Sequence, residues 1–287
     1  MNTLKTAFLL IALTALLVFL GGLVGGGEGA VVMFGIAMVL NVLQYWFSDK
    51  IVLAMYQAKP LSETDAPQVY RAVRELATRM RIPMPHLYWI PTKTPNAFAT
   101  GRSPQHAAVA VTAGLLELLS EEEIKGVLAH ELSHVLNRDT LVMTIAAGIA
   151  GAIMVLARMA QWGAWVGGRD RDDNRSGAGQ LIVVVLVAIL APLAAMLIQL
   201  AISRTREYGA DETGARSTGT PLGLASALEK LERAQRAYPL PNANPATAHL
   251  FIVNPLSGEG VGRFFLNLFS THPPIQQRIA RLRSIRL

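Results

Sequence analysis

A mainly α-helical integral membrane protein, with four transmembrane helices and an α+β domain on the cytoplasmic side, is the fold class this sequence predicts. Three observations carry that expectation. Hydrophobic residues make up 52% of the 287 and charged residues only 16%, against about 25% charged in an ordinary soluble domain. The excess is gathered into four long apolar runs, each near the length that crosses a bilayer. Around those runs lie amphipathic and alternating segments of the kind that fold in water.

Run one spans residues 7–24 and follows Lys5. It could pass for a cleavable leader, but a second run at 30–47 follows after a few residues and favours a retained anchor. The glycine-rich stretch 21–29 is the expected turn between them. Segment 67–80 carries Val69, Val73 and Leu76 near helical spacing, with Asp65 as its expected cap. Residues 87–90 and 106–112 read as strands, and 96–99 as a further short extended piece. Ser120 and Glu123 form a capping box. The helix it starts is expected to continue through His134, with nothing to stop it before run three.

Run three covers 141–156, extendable to 166, and run four covers 181–202 with Pro192 as a kink. Arg158, near the outer boundary, is placed to snorkel. The alternative for this pair is a hydrophobic hairpin partly buried in protein. The resulting segments are a membrane hairpin at 1–48, a cytoplasmic catalytic segment at 49–140, a second hairpin at 141–203 and a cytoplasmic C-terminal segment at 204–287.

Charge sets the orientation. Net charge is +6 and the pI about 9.8. Ten Lys and Arg fall within 49–140 and eleven after Ser203, none within 21–29, and three in the 167–180 loop, where they alternate with Asp. The positive-inside tendency therefore puts both termini and the two large segments in the cytoplasm. Tyr45, Trp46 and Phe47 would mark the inner interface, and Trp162 and Trp165 the outer one. Basicity here speaks for a lipid bilayer as partner. The interleaved aromatic and basic pattern that nucleic acid needs is missing. With no cysteine in the chain, disulfides and thiolate metal sites are excluded, so any metal must be held by His and carboxylate.

The chemistry lies in His130-Glu131-Leu132-Ser133-His134. Residues i and i+4 share a helix face, so both imidazoles can reach one metal ion, while Glu131 can take a proton from water beside it. Catalytic zinc usually has a third protein ligand. No histidine follows until His249, but Arg206-Glu207-Tyr208-Gly209-Ala210-Asp211 comes directly after run four. Helices of a hairpin would bring Glu207 to the height of the histidines. Asp211 or Glu212 are the alternative ligands. As a non-ligand, Asp211 is placed one turn on to accept a hydrogen bond from a ligating imidazole. His86, His106 and His249 have no partner spacing and read as ordinary polar residues.

These motifs, with Pro95-Asn96-Ala97-Phe98-Ala99-Thr100-Gly101 and Thr271-His272-Pro273-Pro274 plus Arg278, resemble the HtpX-type bacterial membrane zinc metallopeptidases, relatives of the CAAX-prenyl endopeptidases. The resemblance covers essentially the whole chain, save the Arg/Asp-rich loop at 169–175. It implies a zincin-like catalytic domain with one Zn2+ per chain on His130, His134 and Glu207, and Glu131 as general base. It implies an edge strand at Asn96, Ala97 and Phe98 that binds peptide through main-chain hydrogen bonds, and His272 and Arg278 near the scissile carbonyl, with Arg278 also readable as a structural partner of a carboxylate near the site. It implies an inner-membrane endopeptidase that acts on misfolded or damaged membrane proteins under stress. A site-specific processing protease, or a silent membrane scaffold with a structural zinc, are the alternatives. A scaffold would have no use for Glu131, which is not a ligand. The sequence leaves oligomeric state open.

Overall fold

Two apolar helices open the chain. In the computed structural model, which describes residues 2–150, 204–237, 250–252 and 273–287, α1 (Leu4–Leu23) and α2 (Gly25–Met55) are long and apolar enough to cross a membrane. They reverse at Gly25 and Gly26, where Gly26 takes φ +59, a backbone state open to glycine at little cost. Their outer faces leave Phe19 63% and Val31 72% exposed, a surface suited to lipid. α2 runs past the residue-48 boundary drawn from sequence.

The inner faces pack Leu9, Leu13, Leu17 and Ala37 against Val142, Ile145 and Ile149 of helix α6 (Thr140–Ala150). Asn41 Nδ2 donates to Thr14 Oγ1 at 2.8 Å and ties α1 to α2, a polar bond of the kind that specifies helix pairs in lipid. The remainder of run three, all of run four, Arg158, Pro192, His249 and His272 lie outside the described residues.

The α+β domain follows α2. Its elements before α6 are β1 (Lys59–Pro60), α3 (Pro67–Met80), β2 (His86–Ile90), β3 (Ala97–Thr100), β4 (Ala108–Thr112), α4 (Ala113–Leu118) and α5 (Glu121–Leu136). After α6 come α7 (Arg204–Thr218), α8 (Leu222–Ala237) and α9 (Ile275–Ser284). The sheet order is β1-β2-β4-β3, with β2 and β4 parallel and the outer pairs antiparallel. β3 is thus an edge strand among the described residues. One core joins sheet and helices through Val69, Val73, Leu76, Val109, Val111, Leu128, Leu132 and Leu228.

Three local expectations differ from the structure. Asp65 does not cap α3; its carboxylate accepts from Ser62 Oγ, and α3 starts at Pro67 with no side-chain cap. Proline at a first helical position needs no donor partner, which removes the demand for one. His106 closes a 3-10 turn, Pro104–His106, and the strand begins at Ala108. Lastly, α5 does not continue into the membrane. It stops at Leu136, where Arg138 takes φ +57. Arg138 N–H donates to Val135 O (3.1 Å) and Asp139 N–H to His134 O (2.9 Å), closing the last turn in a left-handed C-terminal motif. The chain then restarts as α6.

α5 is the buried axis of the domain. Its capping box forms as expected, Ser120 N–H donating to Glu123 Oε2 at 2.8 Å and Glu123 N–H to Ser120 Oγ at 3.4 Å. Glu123 also accepts from Ser226 Oγ and Lys230 Nζ of α8, at 2.6 and 2.8 Å. Glycine sets how closely the neighbours approach. A Cβ on Gly126 would fall 2.5 Å from Leu224 N, and one on Gly214 would fall 3.1 Å from His130 N. α8 and α7 therefore rest almost directly on the α5 backbone.

Candidate metal centre

The buried face of α5 carries both histidines and Glu131, and α7 crosses it to deliver Glu207 and Asp211. His130 Nε2 lies 3.6 Å from Glu207 Oε2, and His134 Nε2 lies 3.5 Å from Glu207 Oε1. One donor atom from each of the three residues falls within 4.8 Å of the others. Bond lengths of about 2.0–2.2 Å to zinc with tetrahedral angles would set donors about 3.3–3.5 Å apart. Each imidazole Nε2 stands near that distance from one of the two Glu207 oxygens, and two imidazoles with a carboxylate are a donor set suited to zinc. The rings stand edge to face, with centroids 4.9 Å apart and an interplanar angle of 88°.

Behind His130, Nδ1 donates to Asp211 Oδ1 at 2.9 Å. That bond leaves Nε2 with its lone pair toward the cluster. Asp211 is held in turn by Arg278, Nε donating to Oδ2 at 2.9 Å and Nη2 to Oδ1 at 2.7 Å. Arg278 is fully buried. Its Nη2 stands 3.4 Å from both ring nitrogens of His130, so it rests against the ring. Burial and the Arg278 charge pull the His130 pKa down, but Asp211 and Glu207 outweigh them and push it up to about 9, so a cation that takes the Nε2 lone pair would displace a proton there. Burial alone would raise the Asp211 carboxyl, yet Arg278 and His130 bring it to about 2.

Glu131 is enclosed, and desolvation raises its pKa above the ordinary carboxylate value. Its Oε2 accepts from Ala99 N–H at 3.0 Å, which fixes the carboxylate between the metal cluster and strand β3. A raised pKa makes Glu131 a stronger base than an ordinary carboxylate.

The residues expected to touch substrate divide. Phe98 and Ala99 line the small cleft beside His130, Glu131 and His134, with Met143, Leu250, Phe251 and Ile252 opposite. Ala97 follows Asn96 in the same extended segment but lies outside this lining. Asn96 is enclosed: its Nδ2 donates to Leu250 O at 3.3 Å and its Oδ1 accepts from Ile252 N–H at 3.1 Å. Asn96 thus clamps Leu250–Ile252 to the edge of the sheet, and Arg278 clamps Asp211. Both side chains are spent on internal partners: Asn96 on the chain at Leu250 and Ile252, and Arg278 on a carboxylate beside the site, as the structural reading of Arg278 anticipates. His272 lies outside the described residues. Glu212 faces away and pairs with Arg216 at 3.0 Å.

Sequence reasoning missed two contacts. Ala99 N–H on Glu131 is a main-chain contact and leaves no trace in residue identity. Asp139, with its Oδ2 3.4 Å from His134 Nδ1, follows the unforeseen end of α5. Its signal was the Asn137-Arg138-Asp139 run at a helix end.

Comparison with known proteins agrees with this geometry. The profile of peptidase family M48 matches residues 63–286. A protein named Protease HtpX homolog from Syntrophobacter fumaroxidans is 62% identical over 282 residues, 98% of each chain. Another of that name from Pyrococcus furiosus is 55% identical over 281 residues, 98% of this chain and 95% of the relative. Among solved structures, the crystal structure of S. mikatae Ste24p superposes with a TM-score of 0.52 at 16% identity, over 98% of this chain and 64% of that protein. This last likeness is one of fold. With the profile covering most of the chain and such relatives matching along nearly its whole length, the chain belongs to peptidase family M48 and is of the HtpX type.

Proposed function

We propose that this protein is a membrane-anchored, zinc-dependent endopeptidase that cleaves misfolded or damaged membrane proteins on the cytoplasmic side of a bacterial inner membrane. The observation that carries the reading is the joint placement of the His130, His134 and Glu207 donors with Glu131, a buried carboxylate pinned against strand β3.

When bound by these donors, a divalent cation would lower the pKa of a water toward neutrality and polarise a peptide carbonyl. Glu131 then takes the proton of the attacking water. It holds that proton in an enclosed site and returns it to the leaving amine. Asp211 keeps the His130 imidazole in the tautomer that offers Nε2.

Strand β3 supports a main-chain mode of recognition. In the antiparallel register Phe98 pairs with Ala110, and Ala99 turns its N–H away from β4 to Glu131. Alternate residues of an edge strand present their main-chain groups outward. Residues Ala97–Thr100 are buried and the Ala99 N–H is taken by Glu131, so an extended peptide adds there once this edge is uncovered, and it would then be selected by backbone more than by sequence. The exposed apolar faces of α1 and α2 support a site beside lipid, within reach of membrane-embedded substrates.

Purified protein should hold about one zinc per chain. It should lose casein cleavage to a chelator and regain it with zinc. His130→Ala should lose most of the metal. Full zinc content in Glu207→Ala would move the third ligand to Asp211 or Glu212.

A further inference from the structure

Asp139 sits where α5 hands the chain to α6. Its main chain already has work there: the N–H closes the end of α5 on His134 O at 2.9 Å, and the C=O accepts from Met143 N–H at 3.1 Å in the first turn of α6. Its side chain, 3% exposed, turns back instead to the metal cluster. Oδ2 lies 3.4 Å from His134 Nδ1, and Oδ1 accepts from Arg206 Nη1 at 3.2 Å. Arg206 belongs to α7 and directly precedes Glu207.

We infer that Asp139, held by Arg206, is the positioning residue for His134. An imidazole that offers Nε2 to a cation carries its proton on Nδ1, and a carboxylate on Nδ1 fixes the tautomer, the ring orientation and the basicity. His130 has this support from Asp211, which Arg278 holds. Asp139 and Arg206 repeat the arrangement for the second histidine, from different elements. The same turn of α7 thereby supplies both the third metal donor and the cation that anchors Asp139. Arg206 Nη2 is buried and has no hydrogen-bond partner among the described residues. In this arrangement a shift of α6 against α7 moves the acceptor of His134.

The inference rests on His134 being a metal ligand, so its test separates the two. Full-length protein in detergent would be titrated with zinc against a chromophoric chelator, and its cobalt-substituted form examined by visible absorption, which reports ligand geometry. Asp139→Asn keeps size and the main-chain bonds but removes the charge. It should weaken zinc binding by about 10- to 100-fold and shift the cobalt bands, and Arg206→Gln should shift both in the same direction. Should Asp139→Asn not fold, Arg206→Gln decides by the same two readings. Zinc affinity within about twofold of wild type, far short of the expected loss, with unchanged cobalt bands, overturns the positioning role. If His134→Ala also binds zinc like the wild type, the metal assignment itself falls; if His134→Ala loses zinc, only the role of Asp139 does.

Discussion

Arg278 is a fully buried cation, and its environment shows what the site costs. Both Asp211 oxygens accept from it, at 2.9 and 2.7 Å, and Glu207 lies 4.0 Å away. Removing one partner of a buried ion pair is far worse than removing both, because the remaining charge stays desolvated. Asp211→Asn should therefore destabilise the protein by about 3–5 kcal/mol, read by thermal or denaturant unfolding in detergent. A loss under about 1 kcal/mol, the worth of a surface pair, would contradict the clamp. Asp211 also sets an acid limit. Its folded pKa lies below the ordinary value, at about 2, so its contribution is fully present above about pH 4 and lost as pH falls through about 2. In Asp211→Asn that limb of the profile should vanish. Much of this cluster was legible residue by residue. Helical spacing alone puts His130 beside His134 and Glu207 beside Asp211 on their faces. What spacing could not give were Ala99 N–H on Glu131, Asp139 turned back onto His134, and which carboxylate Arg278 would hold.

At the scale of elements, periodic and capped segments were readable and chain reversals were not. The Ser120 capping box and the amphipathic face of α3 follow from local pattern. The end of α5 depends on Arg138 entering a left-handed conformation that non-glycine residues seldom adopt, so an apolar pattern resuming at Leu141 masked the break. Sheet order β1-β2-β4-β3 rests on pairing between distant segments, which no local signal encodes. The second hairpin remains a sequence-based expectation beyond Ala150. α6 supports it, since Val142, Ile145 and Ile149 pack on α1 and α2. A cysteine placed at Ser176 in this cysteine-free chain should react with an impermeant thiol reagent in intact cells. Labelling only after permeabilisation would place that loop inside and make the hairpin part of the cytoplasmic domain.

For the whole molecule, the candidate metal ligands lie between the apolar helices α1, α2 and α6 and the core of the α+β domain. α5 brings the histidines from the domain core, and α7 brings Glu207. Strand β3 brings the main chain that holds Glu131. Zinc peptidase chemistry follows only if Glu131 moves a proton, since a structural metal site has no use for it. Replacement of Glu131 by Gln tests this most directly, because Gln is nearly isosteric and is not a ligand, so zinc content and thermal stability should hardly change. Cleavage of casein or a misfolded membrane protein, with zinc supplied, should fall by about 10²- to 10⁴-fold, the usual worth of general-base catalysis. Activity within about threefold of wild type, with contaminating proteases excluded, would contradict the account, since the loss expected is far larger.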